Sequence, residues 1–281
     1  MLPYCEKEKY AHIFSERICY IDVGEGDPLL FLHGLGGSMN NWAPNILHFR
    51  EKYRVIALDL PGYGESQKCG ADCSIEYFTG VVRGLLAQLG VNHAHVVGNS
   101  LGGALAINLA LKSPEMVDSL VLVDTAGTHS FPFILRWAFR RWPRALLKRV
   151  VLFITSYLVR YRIFYRIAGV YNLNPYTRVV IDEAVDMGVR PDSDAFMDLY
   201  LDTGREALTA RFDDRLPEIS RPTLIIWGQK DLGIPLKVGQ RINRLIQGSF
   251  LVAIPRAAHV PQLDQPEAFN SALERFLRGV R

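Results

Sequence analysis

Short apolar runs alternate along this chain with longer stretches in which apolar residues return every three or four positions. Runs of four to eight apolar residues bounded by turn residues suit strands buried on both faces, and the longer period suits helices. On this basis Ile18–Val23 reads as a first strand and Gly24–Asp27 as its turn. Further strands are predicted at Pro28–Leu32, Val55–Leu58, Ala94–Val97, Ser119–Val123, Pro222–Trp227 and Phe250–Ile254. Between them fall a short helix over Trp42–Phe49 and one capped by Ser74 that runs to Leu89, with Gly90 as its stop. Others run from Ser100 to about Lys112, over Leu236–Ile246 and over Glu267–Leu277. Strands alternating with helices predict an α/β fold with a doubly wound, mostly parallel sheet, whose ligand sites lie at the carboxyl ends of the strands.

The alternation stops after Gly127. From 128 to 213 the sequence is mainly helical, amphipathic and aromatic-rich, with no clear buried strand. Two pieces of one core, 1–127 and 214–281, therefore flank an inserted helical lid at 128–213. Charge sharpens that division. Ten basic residues and no acidic one lie between Thr128 and Ile181 (Arg136, Arg140, Arg141, Arg144, Lys148, Arg149, Arg160, Arg162, Arg166 and Arg178), although the whole 281-residue chain carries only +3. The basic residues alternate with Trp137, Phe139, Trp142, Leu146, Leu147 and Phe153 in a helical pattern, not a groove-tracking one, so nucleic acid is not the expected partner. Two readings of the lid stay open. Its apolar face covers a pocket while its basic face meets water, or its basic face contacts an anionic membrane surface peripherally.

The chain is 49% apolar, but its longest apolar stretch, Val150–Val159, is half of the roughly 20 residues a helical membrane span requires. The first residues show no basic start followed by an apolar core, so the expected location is cytoplasmic. Cys5, Cys19, Cys69 and Cys73 have neither the number nor the spacing of a disulfide framework, and are expected as thiols. No metal-ligand spacing, GxGxxG after the first strand or GxxxxGK[ST] occurs, so neither metal nor cofactor is expected.

Candidate chemistry gathers at the strand ends. Gly98-Asn99-Ser100-Leu101-Gly102-Gly103 places a serine between a strand and a helix, with glycine two positions to either side: the G-x-S-x-G elbow, which lifts a serine hydroxyl clear of the sheet at a helix N-terminus. A serine nucleophile needs a base, an acid to orient the base, and donors for the oxyanion. His259, in the loop after the last strand, is the candidate base. Asp231 and Asp124 each follow a strand and are both candidate acids; Asp231 is preferred because it lies between serine and histidine in chain order. Asp124 is then a turn or cap residue, and Asp264 an N-cap of the last helix. For the oxyanion, the Leu101 N–H is one donor. The second comes from His33-Gly34-Leu35-Gly36-Gly37, with Leu35 favoured and Gly34 next. His33 is expected to shape that loop.

These motifs, together with Asp59-Leu60-Pro61-Gly62-Tyr63-Gly64-Glu65-Ser66, Trp227-Gly228-Gln229-Lys230-Asp231 and Ala258-His259, occur in an order that resembles the α/β-hydrolase fold superfamily over almost the whole chain except the lid. The resemblance implies Ser100 as nucleophile, His259 as base, Asp231 as acid and no cofactor. Serine at position 100 separates the chain from the haloalkane dehalogenases and epoxide hydrolases, which use aspartate there. Gly98-Asn99-Ser100 is also similar to the elbow of meta-cleavage product hydrolases, which commonly carry tryptophan after the histidine; here Val260 follows His259. The basic, apolar lid looks like that of monoacylglycerol-lipase-type esterases. The expectation is a serine hydrolase acting on small apolar esters. The alternatives are a carbon–carbon bond hydrolase of meta-cleavage type and a slow-turnover ligand receptor. The sequence does not settle the oligomeric state.

Overall fold

The computed structural model describes residues 8–67, 73–128, 142–153, 170–178, 181–182 and 193–280. In chain order its strands are β1 (Lys9–Ile13), β2 (Glu16–Val23), β3 (Pro28–Leu32), β4 (Arg54–Leu58), β5 (Ala94–Asn99), β6 (Val117–Val123), β7 (Thr223–Gly228) and β8 (Phe250–Ile254). They form one sheet in the order β1-β2-β4-β3-β5-β6-β7-β8, antiparallel at β1/β2 and β2/β4 and parallel thereafter. The order reverses between β3 and β5. That is the switch point at which loops diverge and leave a crevice over the strand ends.

The helices are α1 (Ala43–Phe49), α2 (Ile75–Gln88), α3 (Leu101–Lys112), α4 (Arg144–Phe153), α5 (Ser193–Thr209), α6 (Leu236–Leu245), α7 (Pro261–Asp264) and α8 (Pro266–Gly279). The central strands are mostly apolar because both faces are covered. Leu30, Leu32, Ile56, Leu58, Leu120 and Leu122 point into one core with α2, α3 and α6. Their neighbours Leu29, Phe31, Val55, Ala57, Val121 and Val123 point into the other, with α1 and α8. Each such Leu, Ile, Val or Phe side chain contributes about 1.5–3 kcal/mol on burial. The two-residue alternation thus fixes register as well as strand identity.

Three elements depart from the sequence reading. The strand expected at Ile18 begins at Glu16 and is the second one, because β1 precedes it. Only Ala11 and Ile13 of β1 are buried, and Lys9, Tyr10 and His12 face outward on this edge strand, so its apolar signal is two residues long. β6 starts at Val117, two residues early. Asp264 is not an N-cap: α8 begins after Gln265, whose side chain makes no capping bond. Ser74, by contrast, caps α2 by accepting the Tyr77 N–H at 3.1 Å. Between β6 and β7 the described residues hold α4 and α5 and no strand.

Candidate active site

Ser100 sits where β5 ends and α3 begins, with φ 54° and ψ −113°, a left-handed backbone that a non-glycine residue adopts only when its surroundings compel it. Here they do. The Ser100 N–H donates to Val123 O at 2.9 Å, and Ser100 O accepts from Ala126 at 3.0 Å and Ala104 at 3.2 Å. Space enforces the same turn: a Cβ on Gly98 would lie 2.6 Å from Gly103 N, and one on Gly102 would lie 2.7 Å from His33 O. The Ser100 side chain makes no capping bond to α3. The N–H groups of Leu101, Gly102 and Gly103 precede the first intrahelical acceptor, so they head a helix buried from Leu101 to Ala110, with its positive end at the serine.

The loop after β3 comes against this turn. A Cβ on Gly34 would sit 3.2 Å from that of Ser100, so Gly34-Leu35 runs beside the serine, with Leu35 half-buried. His33 is fully buried, accepts the Leu60 N–H at Nε2 (2.9 Å), and therefore carries its proton on Nδ1, which donates to Gly34 O at 2.8 Å. Burial drops its pKa to about 4, opposed by the Gly34 bond, so it stays neutral and serves the loop. Asp59 does comparable work. It accepts the Met39 N–H at 2.7 Å and the Glu65 N–H at 2.8 Å, tying the loop after β4 to the one after β3.

Asp231 and His259 meet above the sheet, with His259 Nδ1 2.7 Å from Asp231 Oδ2. The other Asp231 oxygen accepts the N–H groups of Gly233 (2.8 Å) and Ile234 (3.0 Å). Burial opposes ionisation of Asp231, but His259, Asp124 and the Ile234 N–H outweigh it, and its pKa falls below the ordinary aspartate value. Burial likewise opposes charge on His259, and the Asp231 carboxylate more than compensates, raising the imidazole above its usual 6.5. Asn99 donates to His259 O at 3.0 Å and to Val123 O at 3.2 Å, so the residue before Ser100 holds the histidine loop.

Two carboxylates are placed differently from expectation. Asp124 is not simply a turn residue: fully buried, with φ 41°, it accepts the Gly228 N–H at 3.2 Å and lies against Asp231. Asp264 accepts the N–H groups of Ala258 (2.8 Å), Tyr171 (2.9 Å) and Asn172 (2.8 Å), joining the loop before His259 to the segment at 170–178. Neither role shows in the sequence, because the donors are backbone N–H groups that only the fold brings to these carboxylates. Ligand atoms of Asp124, Asp231 and His259 lie within 4.8 Å of one another, a cluster that no sequence spacing revealed. The 2.7 Å His259–Asp231 contact is direct hydrogen bonding. Two ligands at about 2.0–2.1 Å from a tetrahedral ion would stand about 3.3 Å apart.

On the inserted segment, Leu147 packs with Met197 and Leu201. Arg144 pairs with Asp198 (2.7 Å) and Asp202 (2.8 Å), and Lys148 with Asp198 (2.8 Å), so these two cations face α5. Phe196 of α5 stacks edge-on against Tyr63, 5.8 Å between centroids, above the loop after β4. Arg136, Arg140, Arg141, Arg160, Arg162 and Arg166, like Cys5 and Cys69, lie outside the described residues. Cys19 is a buried free thiol, and no described helix is long and apolar enough to cross a membrane.

A family model described as alpha/beta hydrolase fold matches residues 27–266. A 2-hydroxy-6-oxononadienedioate/2-hydroxy-6-oxononatrienedioate hydrolase of Paraburkholderia phymatum is 32% identical over 296 residues, covering 96% of this chain and 95% of that one. Among solved structures, a bacterial membrane phospholipase A has a TM-score of 0.81 at 26% identity, covering 98% of this chain and 86% of that one. A meta-cleavage product hydrolase of Pseudomonas fluorescens has a TM-score of 0.74 at 27% identity, covering 97% and 98%. The switch-point sheet, the strained serine turn and a family match over most of the length agree: this chain belongs to the α/β hydrolase fold family and is a hydrolase.

Proposed function

We propose that the chain hydrolyses carboxylic esters with an apolar acyl or alcohol part through an acyl-enzyme on Ser100. Ser100 Oγ attacks the ester carbon while its proton passes to His259 Nε2, and Asp231 steadies the Nδ1–H of the resulting imidazolium. The N–H groups of Leu101 and Leu35 hold the oxyanion. Collapse expels the alcohol with the proton from His259. Water, deprotonated by the same histidine, then releases the acid and restores Ser100. No metal or cofactor takes part.

The observation that carries this reading is the 2.7 Å His259–Asp231 bond, with the histidine's backbone anchored by Asn99, the neighbour of Ser100. The likeness to a phospholipase supports ester chemistry. Residues 128–213 act as an inserted lid, a role supported by the Asp264 tie between its 170–178 segment and the His259 loop. A chain-length series of p-nitrophenyl esters, run on wild type and Ser100→Ala, tests the proposal. Turnover that vanishes in the mutant is expected.

Carbon–carbon hydrolysis of vinylogous diketones is the second reading, favoured by the 32% identical relative and the meta-cleavage neighbour. Conversion of such a substrate with negligible ester turnover would select it. Tight ligand binding with turnover below about one per minute, far under the usual 1–10³ s⁻¹, would instead indicate a receptor. We also propose peripheral contact with anionic membrane through the face of α4 that exposes Leu146 and Arg149, beside Trp142.

A further inference from the structure

Asp231 carries more hydrogen bonds than an orienting acid needs. An ionised carboxylate offers about four lone-pair sites. Three of those on Asp231 are filled by N–H donors, from His259, Gly233 and Ile234. Asp124 stands against the remaining one. It is a second carboxyl group, fully buried, delivered from the end of the neighbouring strand β6 on a strained backbone of φ 41°. Among the described residues its own oxygens accept only the N–H of Gly228, the last residue of β7, at 3.2 Å.

Among the described residues the charged groups facing Asp124 are Asp231, His259 and, more distantly, Asp264. No lysine or arginine among the described residues bridges Asp124 or Asp231. While His259 is neutral, as the start of the proposed cycle requires, two ionised carboxylates here would be two buried negative charges with no cation. That arrangement is resolved when one of them keeps its proton. Asp231, with three N–H donors, is the one that ionises. Asp124, with a single backbone donor, is the one that stays protonated, and its O–H has one carboxylate within reach.

We propose that Asp124 is a positioning residue that remains a neutral carboxylic acid and donates its O–H to Asp231, fixing the orientation of that carboxylate toward His259. The inference rests on the serine-hydrolase reading for its effect on rate, but the protonation state and the bond belong to the resting protein. Burial and the Asp231 charge both push the Asp124 pKa well above the aspartate range, in the same sense. Donation to Asp231 also tempers the basicity that Asp231 lends His259. Losing the donor therefore lets the imidazole bind its proton more tightly.

The test uses the full-length protein and compares Asp124→Ala with Asp124→Asn. An amide keeps both functions, an N–H for Asp231 and an oxygen for Gly228, whereas alanine keeps neither. For Asp124→Ala, kcat on a p-nitrophenyl ester should fall about 10- to 100-fold with little change in KM, the cost of one charge-assisted bond. The acidic limb of kcat/KM should move to higher pH. Asp124→Asn should rescue kcat to within about threefold of wild type and restore the limb. Loss of activity in Asp124→Asn equal to that in Asp124→Ala, or no effect in either, overturns the proposal.

An infrared difference spectrum of wild type minus Asp124→Asn at pH 7 should contain a protonated-carboxyl band. Its absence would mean that Asp124 is ionised, and the inference would be wrong. The spectrum decides the question even where Asp124→Ala does not fold. It is equally decisive where wild type turns over no ester, an outcome that would remove the esterase reading alone.

Discussion

Gly102→Ala tests whether close packing of α3 on β3 holds the serine turn against the loop after β3. The new methyl would lie 2.7 Å from His33 O and closer still to Leu32 O, both backbone atoms at the end of β3. A carbon and an oxygen in contact rest at about 3.5 Å, so helix or strand must yield by about 1 Å. Overpacking of this kind costs about 1–3 kcal/mol, and the better helix propensity of alanine offsets about 1 kcal/mol of it. The net stability loss is therefore modest, at about 2–4 °C of Tm per kcal/mol. The functional loss should be larger. The displaced strand end carries Gly34 and Leu35, and a 1 Å error in a catalytic group can cost about 10²-fold in rate. Gly90→Ala provides the control. There φ is 67° and nothing lies within 4 Å, so strain of about 1–2 kcal/mol is expected with ester turnover unchanged. Unfolding curves and kcat/KM on one p-nitrophenyl ester measure both effects. Full kcat/KM in folded Gly102→Ala would refute the reasoning.

Asp231→Asn should reduce kcat by about 10⁴-fold in stopped assays, because the amide no longer fixes the His259 tautomer. In wild type the raised His259 pKa means that activity, which needs the neutral imidazole, falls as pH drops through a value above the usual 6.5, readable as the acidic limb of kcat/KM. Asn99→Ala removes the tie to His259 O and should lower kcat/KM about tenfold while leaving a melting transition intact, checked by kinetics and calorimetry. Glu274 bonds Lys52 and Arg278, which hold its pKa near 2. Its stabilisation is therefore present above the ordinary 4.5 and lost as pH falls from there toward 2; screening limits it to about 1 kcal/mol, measured as the wild-type minus Glu274→Gln difference in urea unfolding across that window. The membrane proposal predicts salt-sensitive sedimentation with anionic liposomes, and no sedimentation at low salt would dismiss it.

What could be read from the sequence follows from how local each cause is. β3 to β7 were legible because both faces are buried over most of their apolar residues, and β8, at the sheet edge and only partly buried, because Phe250–Ile254 is an unbroken apolar run. The serine turn was legible because glycine spacing is set within six residues. β1 was not, since an edge strand with two buried residues leaves almost no pattern. The same distinction holds at the site. Asp231 and His259 could be singled out by following strands in the expected order, and the structure brings them into contact. Asp124 was visible as an acid at a strand end, but its partner and those of Asp264 were not, because they are backbone groups the fold brings in: Gly228 for one, and Ala258, Tyr171 and Asn172 for the other. The basic character of 128–178 was plain in the sequence. That Arg144 and Lys148 turn toward Asp198 and Asp202 was not, because those partners lie some fifty residues further on.

The measurement that tests Ser100 as the nucleophile most directly is covalent trapping with a p-nitrophenyl alkylphosphonate, followed by peptide mass spectrometry. One adduct per chain, on Ser100, is expected, with labelling abolished in Ser100→Ala and greatly slowed in His259→Ala. An adduct on another residue, or none in a folded protein under conditions where a known serine esterase labels fully, would contradict the acyl-enzyme reading.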